Sequence, residues 1–236
     1  MKNQMVFRRV ELKYLVTRPQ QQTILNAMAP YMVPDEYGHS SIRNIYFDTP
    51  DFRLIRRSLE KPVYKEKVRM RSYGRAHDNT PVFVELKKKY RSVVYKRRLL
   101  LPQEEAFACL NRAHPWPDTQ IGRELSYTVD FYRVLRPAVF LSYERDAFYC
   151  REDDSFRVTF DSDILYRQTD LHLNTSVSGI PILPPGSVLM ELKVAGGLPL
   201  WMVHTLSSLH VYRVSYSKYG TAYQQMTKQE GAYHYA

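Results

Sequence analysis

Cysteine is scarce in this chain, and long apolar runs are missing from it. Only Cys109 and Cys150 occur among 236 residues, and neither has a partner at the short spacing of thiolate metal sites. A disulfide scaffold and a structural zinc site are therefore excluded. The longest apolar windows, such as 198–203, fall far short of the roughly 20 residues that a membrane span needs.

No export signal is recognisable either. Residues 1–13 carry several charges where a signal peptide has an unbroken apolar run, so we expect a cytoplasmic protein with no membrane span in this chain. The seven histidines are scattered, and none forms an HxxxH-type pair, so we assign no metal to histidine.

What the chain has in excess is positive charge. It holds 34 Lys and Arg against 24 Asp and Glu, a formal charge of +10. Such a charge favours an anionic partner, whether nucleic acid, a phospholipid surface or a phosphate-rich small molecule, and does not choose among them. With 44% hydrophobic and 13% aromatic residues the chain can fill a core, which excludes disorder as its main state.

Hydrophobic periodicity indicates a chain dominated by strands, with helices inserted between them. Strands are predicted at 6–16, 41–47, 62–72, 81–88, 92–101, 139–149, 156–163 and 187–194. Helices are predicted at 20–28, with Thr17 as the N-cap, and at 103–111, 119–135 and 199–209. A further short helix is predicted after the turn at 48–51. The class is α+β, with a mainly antiparallel sheet of about eight strands. We expect one domain over residues 1–226 and a frayed tail at 227–236.

One face of these strands is charged with a clear bias of sign. Side chains two apart on a strand share a face, so Lys65, Lys67, Arg69 and Arg71 lie together. Over five strands the charged faces hold Arg9, Lys13, Lys65, Lys67, Arg69, Arg71, Lys87, Arg157 and Lys193 against Glu11, Glu85, Asp161 and Glu191. An ordinary solvated face mixes its charges, and crowded cations destabilise a sheet unless an anion binds them. The pattern predicts a site for a polyphosphate chain, with carboxylates to hold Mg²⁺ or Mn²⁺.

A family resemblance is carried by nine short motifs in order along the chain. They are Glu11-Leu12-Lys13-Tyr14, Tyr46-Phe47-Asp48-Thr49, Arg69-Met70-Arg71, Glu85-Leu86-Lys87, Tyr95-Lys96-Arg97-Arg98, Tyr143-Glu144-Arg145, Arg157-Val158-Thr159-Phe160-Asp161, Glu191-Leu192-Lys193 and Ser217-Lys218-Tyr219. In this order they resemble VTC domains, the catalytic domains of polyphosphate polymerases, within the CYTH or triphosphate tunnel metalloenzyme superfamily. The resemblance implies an eight-stranded antiparallel β-tunnel, a closed barrel with flanking helices and inward-pointing charges.

The resemblance also implies roles for individual residues. Phosphates would be held by Lys13, Arg69, Arg71, Lys87, Lys96, Arg145 and Arg157, with Tyr143 beside them. Lys67 and Lys193, on the same charged faces, join this phosphate-binding set. Glu191 resembles the metal-binding glutamate, which Glu11 or Glu85 would assist. Ser217 and Lys218 resemble the pair beside the terminal phosphate, so we expect catalytic roles for Ser217, Lys218 and Glu191.

Two departures from the pattern bear on activity. The superfamily signature Glu-x-Glu-x-Lys begins here with Arg9, which argues against an ordinary two-metal triphosphatase. Ser215 stands where eukaryotic polymerases have a further lysine, so anion binding is better supported than polymerase turnover. Adjacent residues of an extended segment point to opposite faces, which argues against a Ser217–Lys218 hydrolase dyad unless the backbone bends there.

These observations predict an ATP-dependent polyphosphate polymerase that uses a divalent metal ion, Mn²⁺ or Mg²⁺. Its partners would be ATP or triphosphate and inorganic polyphosphate, and any channel for the product would be a separate membrane protein. The alternatives are a metal-dependent triphosphatase and a non-catalytic polyanion-binding module. The tyrosines that alternate with Lys and Arg fall mostly on or near apolar faces, so we expect no nucleic-acid partner.

Overall fold

The computed structural model describes residues 10–91, 93–153 and 155–234. Arg9 and the part of the first predicted strand before Val10 lie outside the described residues. The strands are β1 (Val10–Thr17), β2 (Met32–Asp48), β3 (Tyr64–Tyr73), β4 (Pro81–Tyr90), β5 (Val93–Pro102), β6 (Arg136–Cys150), β7 (Arg157–Arg167), β8 (Ile180–Pro181) and β9 (Ser187–Val194). The helices are α1 (Arg18–Met28), α2 (Arg53–Leu59), α3 (Gln103–Leu110), α4 (Gln120–Tyr132), α5 (Leu200–Ser208) and α6 (Lys218–His234).

The strands form a sheet in the order β1-β9-β7-β6-β2-β3-β4-β5, with β8 paired to β7. The registered pairs are antiparallel, which confirms the α+β class and the antiparallel sheet. Nine strands are found in the described residues where eight were expected, because the two-residue β8 is too short to show an alternation. The strand path has ends at β1 and β5, so the sheet as paired is open where a closed barrel was expected.

The chain divides into two compact units, and β2, β6 and β7 each contribute residues to both. Unit 1 contains residues 10–40, Tyr143–Ile164 and Leu183–Tyr216. Its core holds Phe156, which directly precedes β7, together with Val158 and Phe160 of β7 and Met190 and Leu192 of β9. The residues between them therefore carry the polar face. Thr17 caps helix α1 as expected, through a reciprocal capping box with Gln20, and the helix begins at Arg18, two residues before the predicted start.

Unit 2 contains Ser41–Ser142, Leu165–Ile182 and residues 217–234. Its centre is the predicted meander β3-β4-β5, in which Arg69 lies opposite Glu85 and Lys67 opposite Lys87. Val68, Met70, Val84 and Leu86 point to the opposite side and are buried in one hydrophobic core. The period-two pattern therefore sorts cations from core residues as predicted.

Helix α6 is the main element that the sequence did not predict. Its first turns bury Tyr219, Ala222 and Met226, a spacing that places them on one helical stripe. The segment around Ser217, expected to be extended, is the start of this helix. The helix also continues through residues 227–234, where we expected a frayed tail.

Candidate functional site

Unit 2 carries a charged cluster centred on Glu85. The carboxylate is 2% exposed; its Oε2 lies 2.6 Å from Arg69 Nε, and its Oε1 lies 2.5 Å from Lys96 Nζ. Burial by itself raises the pKa of Glu85, but Arg69, Arg71 and Lys96 outweigh it and hold this pKa well below its usual range. With three cations and one carboxylate, these four groups carry a formal charge of +2.

Both arginines of this cluster are held by further contacts. Arg69 donates from Nη1 to the Tyr46 hydroxyl at 3.1 Å, and its guanidinium lies 5.8 Å from the centre of the same ring. Arg71 is buried and donates from Nε to Asn44 Oδ1 at 2.9 Å, while the Asn44 amide donates to the Leu141 carbonyl. Side chains fixed in this way lose little entropy when an anion binds.

Lysines extend the same face. Lys67 lies opposite Lys87 on β4, and Lys87 lies opposite Lys96 on β5, so a row of three lysines crosses the meander. The Lys96 side chain keeps 41% of its surface exposed. Burial nevertheless lowers the pKa of Lys96 to about 8; Arg69 and Arg71 lower it too, and Glu85 opposes them.

The predicted Ser217–Lys218 pair lies beside this row. Lys67 Nζ donates to Ser217 Oγ at 2.9 Å, and the same oxygen accepts the Gly220 amide at 3.1 Å. Ser217 therefore caps α6, and Lys218 is the first residue of that helix and nearly buried. The backbone does bend here, which removes the objection that adjacent residues must point to opposite faces.

Sequence reasoning missed the residues that hold the start of α6. Asp48 is fully buried and accepts the backbone amides of Leu54 and Ile55 at the start of α2, and that of Thr49 in the preceding turn. The Tyr219 hydroxyl also donates to this carboxylate at 2.9 Å, and the Tyr219 ring stacks on Tyr46 at 4.5 Å. The available signal was the Asp-Thr-Pro-Asp turn, whose first carboxylate can cap a helix.

Unit 1 carries the second charged cluster, arranged around Lys13. Its Nζ lies 3.3 Å from Glu191 Oε1 and 3.4 Å from Glu11 Oε1, and donates to the Tyr216 carbonyl at 3.0 Å. Glu191 is nearly buried, and β1 and β9 place it directly opposite Lys13. Two carboxylates and a carbonyl thus converge on one cation.

Arg145 forms the other part of this cluster. It binds Asp161 through two hydrogen bonds of 2.6 and 2.7 Å, its Nη2 lies 3.8 Å from Glu191 Oε2, and its guanidinium lies over the Tyr143 ring. Counting Lys13 and Arg145 against Glu11, Asp161 and Glu191 gives a formal charge of 2 − 3 = −1. This cluster thus differs in sign from the one around Glu85.

The remaining predicted cations of unit 1 lie in register with each other. Arg157 on β7 is opposite Lys193 on β9, and Lys193 is in turn opposite Glu11 on β1. Arg157 is exposed and Lys193 half-buried, so both can be reached by an anion from solvent.

Oxygen donors of the kind that Mg²⁺ and Mn²⁺ prefer are present in unit 1. Glu191 and Glu11 approach one point, where the Lys13 ammonium now neutralises them. Within the described ranges, no group of three or more His, Cys, Asp and Glu side chains has the arrangement of a metal site. Two carboxylates fit a metal that also takes oxygens from a bound phosphate. Glu85 fits this role less well, because Arg69 and Lys96 contact its two oxygens at 2.5 Å. The corresponding contacts of Glu191 with Lys13 and Arg145 are looser, at 3.3 and 3.8 Å.

Solved structures share this fold at low sequence identity. A candidate adenylate cyclase from Bacillus halodurans is 18% identical, with a TM-score of 0.54, 89% of this chain covered and 93% of the other. The candidate adenylyl cyclase HpAC1 from Hippeastrum, described as having a dominant triphosphatase activity, is 13% identical, with a TM-score of 0.50 and the same two coverages. Both likenesses concern the fold.

The family itself follows from the sequence match. The model of the VTC domain matches residues 8–227, nearly the whole chain, and the chain belongs to this family. No curated protein matches it. Among the helices of the described residues, none is both long and apolar enough to cross a membrane.

Proposed function

We propose that this protein is an ATP-dependent polyphosphate polymerase whose unit 2 binds the phosphates of the nucleotide. The observation that carries the proposal is the cluster around Glu85, where Arg69, Arg71 and Lys96 surround a single buried carboxylate. The guanidinium fork of arginine matches phosphate oxygens, and both arginines are already oriented by Tyr46 and Asn44.

Catalysis in this proposal is mainly positioning and charge stabilisation. A terminal oxygen of the polyphosphate acceptor attacks the γ-phosphorus of ATP, a new P–O bond forms, and the bond to the β,γ-bridging oxygen breaks to release ADP. Lys218 stabilises the charge of the phosphoryl group during transfer, and Ser217, held by Lys67, fixes the start of α6 beside it. Lys67 and Lys87 bind phosphate next to the same position.

We assign a second phosphate-binding and metal-binding role to unit 1. Glu191, with Glu11, would hold Mg²⁺ or Mn²⁺, and Lys13, Arg145, Arg157 and Lys193 would contact phosphate oxygens, with Tyr143 beneath Arg145. A divalent ion supplies neutralisation of charge on the phosphates and orients them. Glu85 is left out of the metal site, because it serves as the anion that organises the cations of unit 2.

Membership of the VTC domain family supports the polymerase, and the Hippeastrum likeness supports a triphosphatase as the second candidate. In the second case water replaces the polyphosphate end as acceptor, and the same cations bind the same triphosphate. We place the protein in the cytoplasm, with a separate membrane protein as a partner for the product.

Product analysis separates the two activities. Purified protein is incubated with γ-labelled ATP and Mn²⁺, and polyphosphate is separated from free phosphate by gel electrophoresis. Label in long chains supports the polymerase, whereas label only in free phosphate supports the triphosphatase. Lys218→Ala is the matched loss-of-function variant, since a contaminating kinase or phosphatase would be unaffected by it. If wild type and variant give the same products, the proposal is contradicted.

A further inference from the structure

A group of lysines on the same strand face lies beyond the proposed transfer position and takes no part in the site described above. Lys65 on β3 and Lys89 on β4 are directly opposite each other, two residues along each strand from the pair Lys67 and Lys87. Both side chains are half-buried and lie on the side opposite the hydrophobic core. Lys61, just after α2, is near enough to act electrostatically on Lys65.

These three lysines repel one another. Burial lowers the pKa of Lys65, and Lys89 and Lys61 lower it further. Lys65 Nζ donates to the Ser58 carbonyl at 2.9 Å, near the negative end of α2. Among the side chains that the structure describes, those of residues 10–91, 93–153 and 155–228, no carboxylate forms an ion pair with Lys61, Lys65 or Lys89. Like charges held together in this way favour occupation by an anion.

Strand geometry relates this lysine cluster to the rest of the face. Six residues of strand separate Lys65 from Arg71, a distance of about 20 Å. Arg69 and Arg71 occupy only the last 7 Å or so of it. The bond from Lys67 to Ser217 fixes α6 and Lys218 between the arginines and the lysine cluster. An anion that used the whole face would be linear and longer than the part that the arginines grip.

We propose that Lys65, Lys89 and Lys61 bind the growing inorganic polyphosphate chain on the far side of the transfer position from the arginines. This inference rests on the proposed function and adds to it the location of the acceptor chain. Polyphosphate carries charge at every unit, so it can contact cations at successive register steps. A triphosphate gripped by Arg69 and Arg71 does not extend to these lysines.

The test compares two ligands on one variant. Lys65→Gln combined with Lys89→Gln removes two charges from the cluster. Outside the cluster, unit 2 has few exposed lysines that could serve as a control. Lys228→Gln on α6 serves as the control, because Lys228 is exposed and lies outside this strand face. Binding of a polyphosphate of about sixty units and of tripolyphosphate is measured by isothermal titration calorimetry over a range of salt concentrations.

We expect the double variant to bind the long chain about tenfold more weakly. Tripolyphosphate binding should change less than twofold. The salt dependence of long-chain binding should become shallower by about one unit of slope, because fewer counterions are released. In the polymerase assay the variant should make shorter products at an unchanged KM for ATP.

Other outcomes overturn the inference in distinguishable ways. An equal loss for both ligands, or a loss for neither, contradicts it while leaving the proposed function intact. Displacement of polyphosphate by an oligothymidylate of equal charge would show a general polyanion surface, and would also contradict it. If the wild-type protein binds neither phosphate ligand, the proposed function itself fails, and this inference fails with it.

Discussion

Removing the negative charge of Glu85 should strengthen phosphate binding while it destabilises the protein. Glu85→Gln keeps the shape of the side chain but loses a charge that contacts Arg69 and Lys96. Removing one partner of a buried ion pair costs about 3–5 kcal/mol, and the amide keeps one acceptor, so we expect about 2–4 kcal/mol. For a chain of this size that lowers Tm by roughly 5–15 °C.

When Lys96 is protonated, the same substitution changes the formal charge of the cluster from +2 to +3. Loss of Glu85 also lowers the pKa of Lys96 further, so the titrations are done below neutral pH. Two unit charges 4 Å apart interact by about 1 kcal/mol in water and about 4 kcal/mol near a protein surface. Within this range we expect the binding free energy of tripolyphosphate to become more favourable by about 1.4 kcal/mol, which is about tenfold tighter binding. Tripolyphosphate should also raise the Tm of the variant by more than it raises that of the wild type.

The acid side of the stability curve gives an independent check. Because the folded-state pKa of Glu85 is lowered, its stabilising effect is present above its unfolded pKa and is lost as pH falls below it. The free energy of unfolding of Glu85→Gln should therefore fall less steeply below about pH 4.5 than that of the wild type.

Differential scanning fluorimetry and isothermal titration calorimetry measure these quantities. Glu124→Gln is the matched control, because Glu124 also pairs with a lysine and an arginine, Lys88 and Arg97, but is much more exposed. It should change Tm and affinity little. If Glu85→Gln weakens tripolyphosphate binding, the reasoning is refuted. A loss that occurs only when Mn²⁺ is present would identify Glu85 as a metal ligand instead.

Four further predictions follow from the same contacts. Tripolyphosphate affinity should fall up to about tenfold between pH 7 and pH 9, because the anion binds the charged form of Lys96 and its pKa is about 8; Lys96→Arg should flatten this profile in calorimetric titrations. Lys218→Ala should lower kcat far more than it raises KM in steady-state assays, and equal effects on both would contradict its role in transfer. Tyr219→Phe should lower the free energy of unfolding by about 1–3 kcal/mol in urea titrations, since buried Asp48 loses a donor; no change would exclude the contact. Glu191→Gln should abolish metal-dependent turnover yet leave part of the thermal stabilisation by ATP, and unchanged turnover would remove it from the metal site.

The strands of the charged face were predictable because their signal is local. In β3 the alternation of cations with Val68 and Met70 follows from the two-residue period of a strand, and the structure buries those apolar residues in the core. The start of α1 was equally local, since Thr17 and Gln20 are three residues apart and cap each other.

What the sequence did not predict depends on pairing between distant segments. Isolated carboxylates among cations suggested Glu85 as a metal ligand, and the sequence did not show that cross-strand register brings Arg69 and Lys96 onto this carboxylate. Helix α6 was missed because its polar sequence has weak periodicity and is stabilised by the contact of Tyr219 with Asp48. Register and tertiary contacts of this kind leave no mark on a single sequence.

The central claim is that the face of β3, β4 and β5 bearing Arg69 is a triphosphate-binding surface. Calorimetric titration with tripolyphosphate of the wild type, Arg69→Ala and Arg97→Ala tests it, because Arg97 lies on β5 but pairs with Glu124 instead of Glu85. Loss of charge-assisted contacts worth about 2–3 kcal/mol predicts that Arg69→Ala weakens binding by one to two decades. Arg97→Ala should stay within about twofold of the wild type. Equal affinities for wild type and Arg69→Ala would contradict the claim.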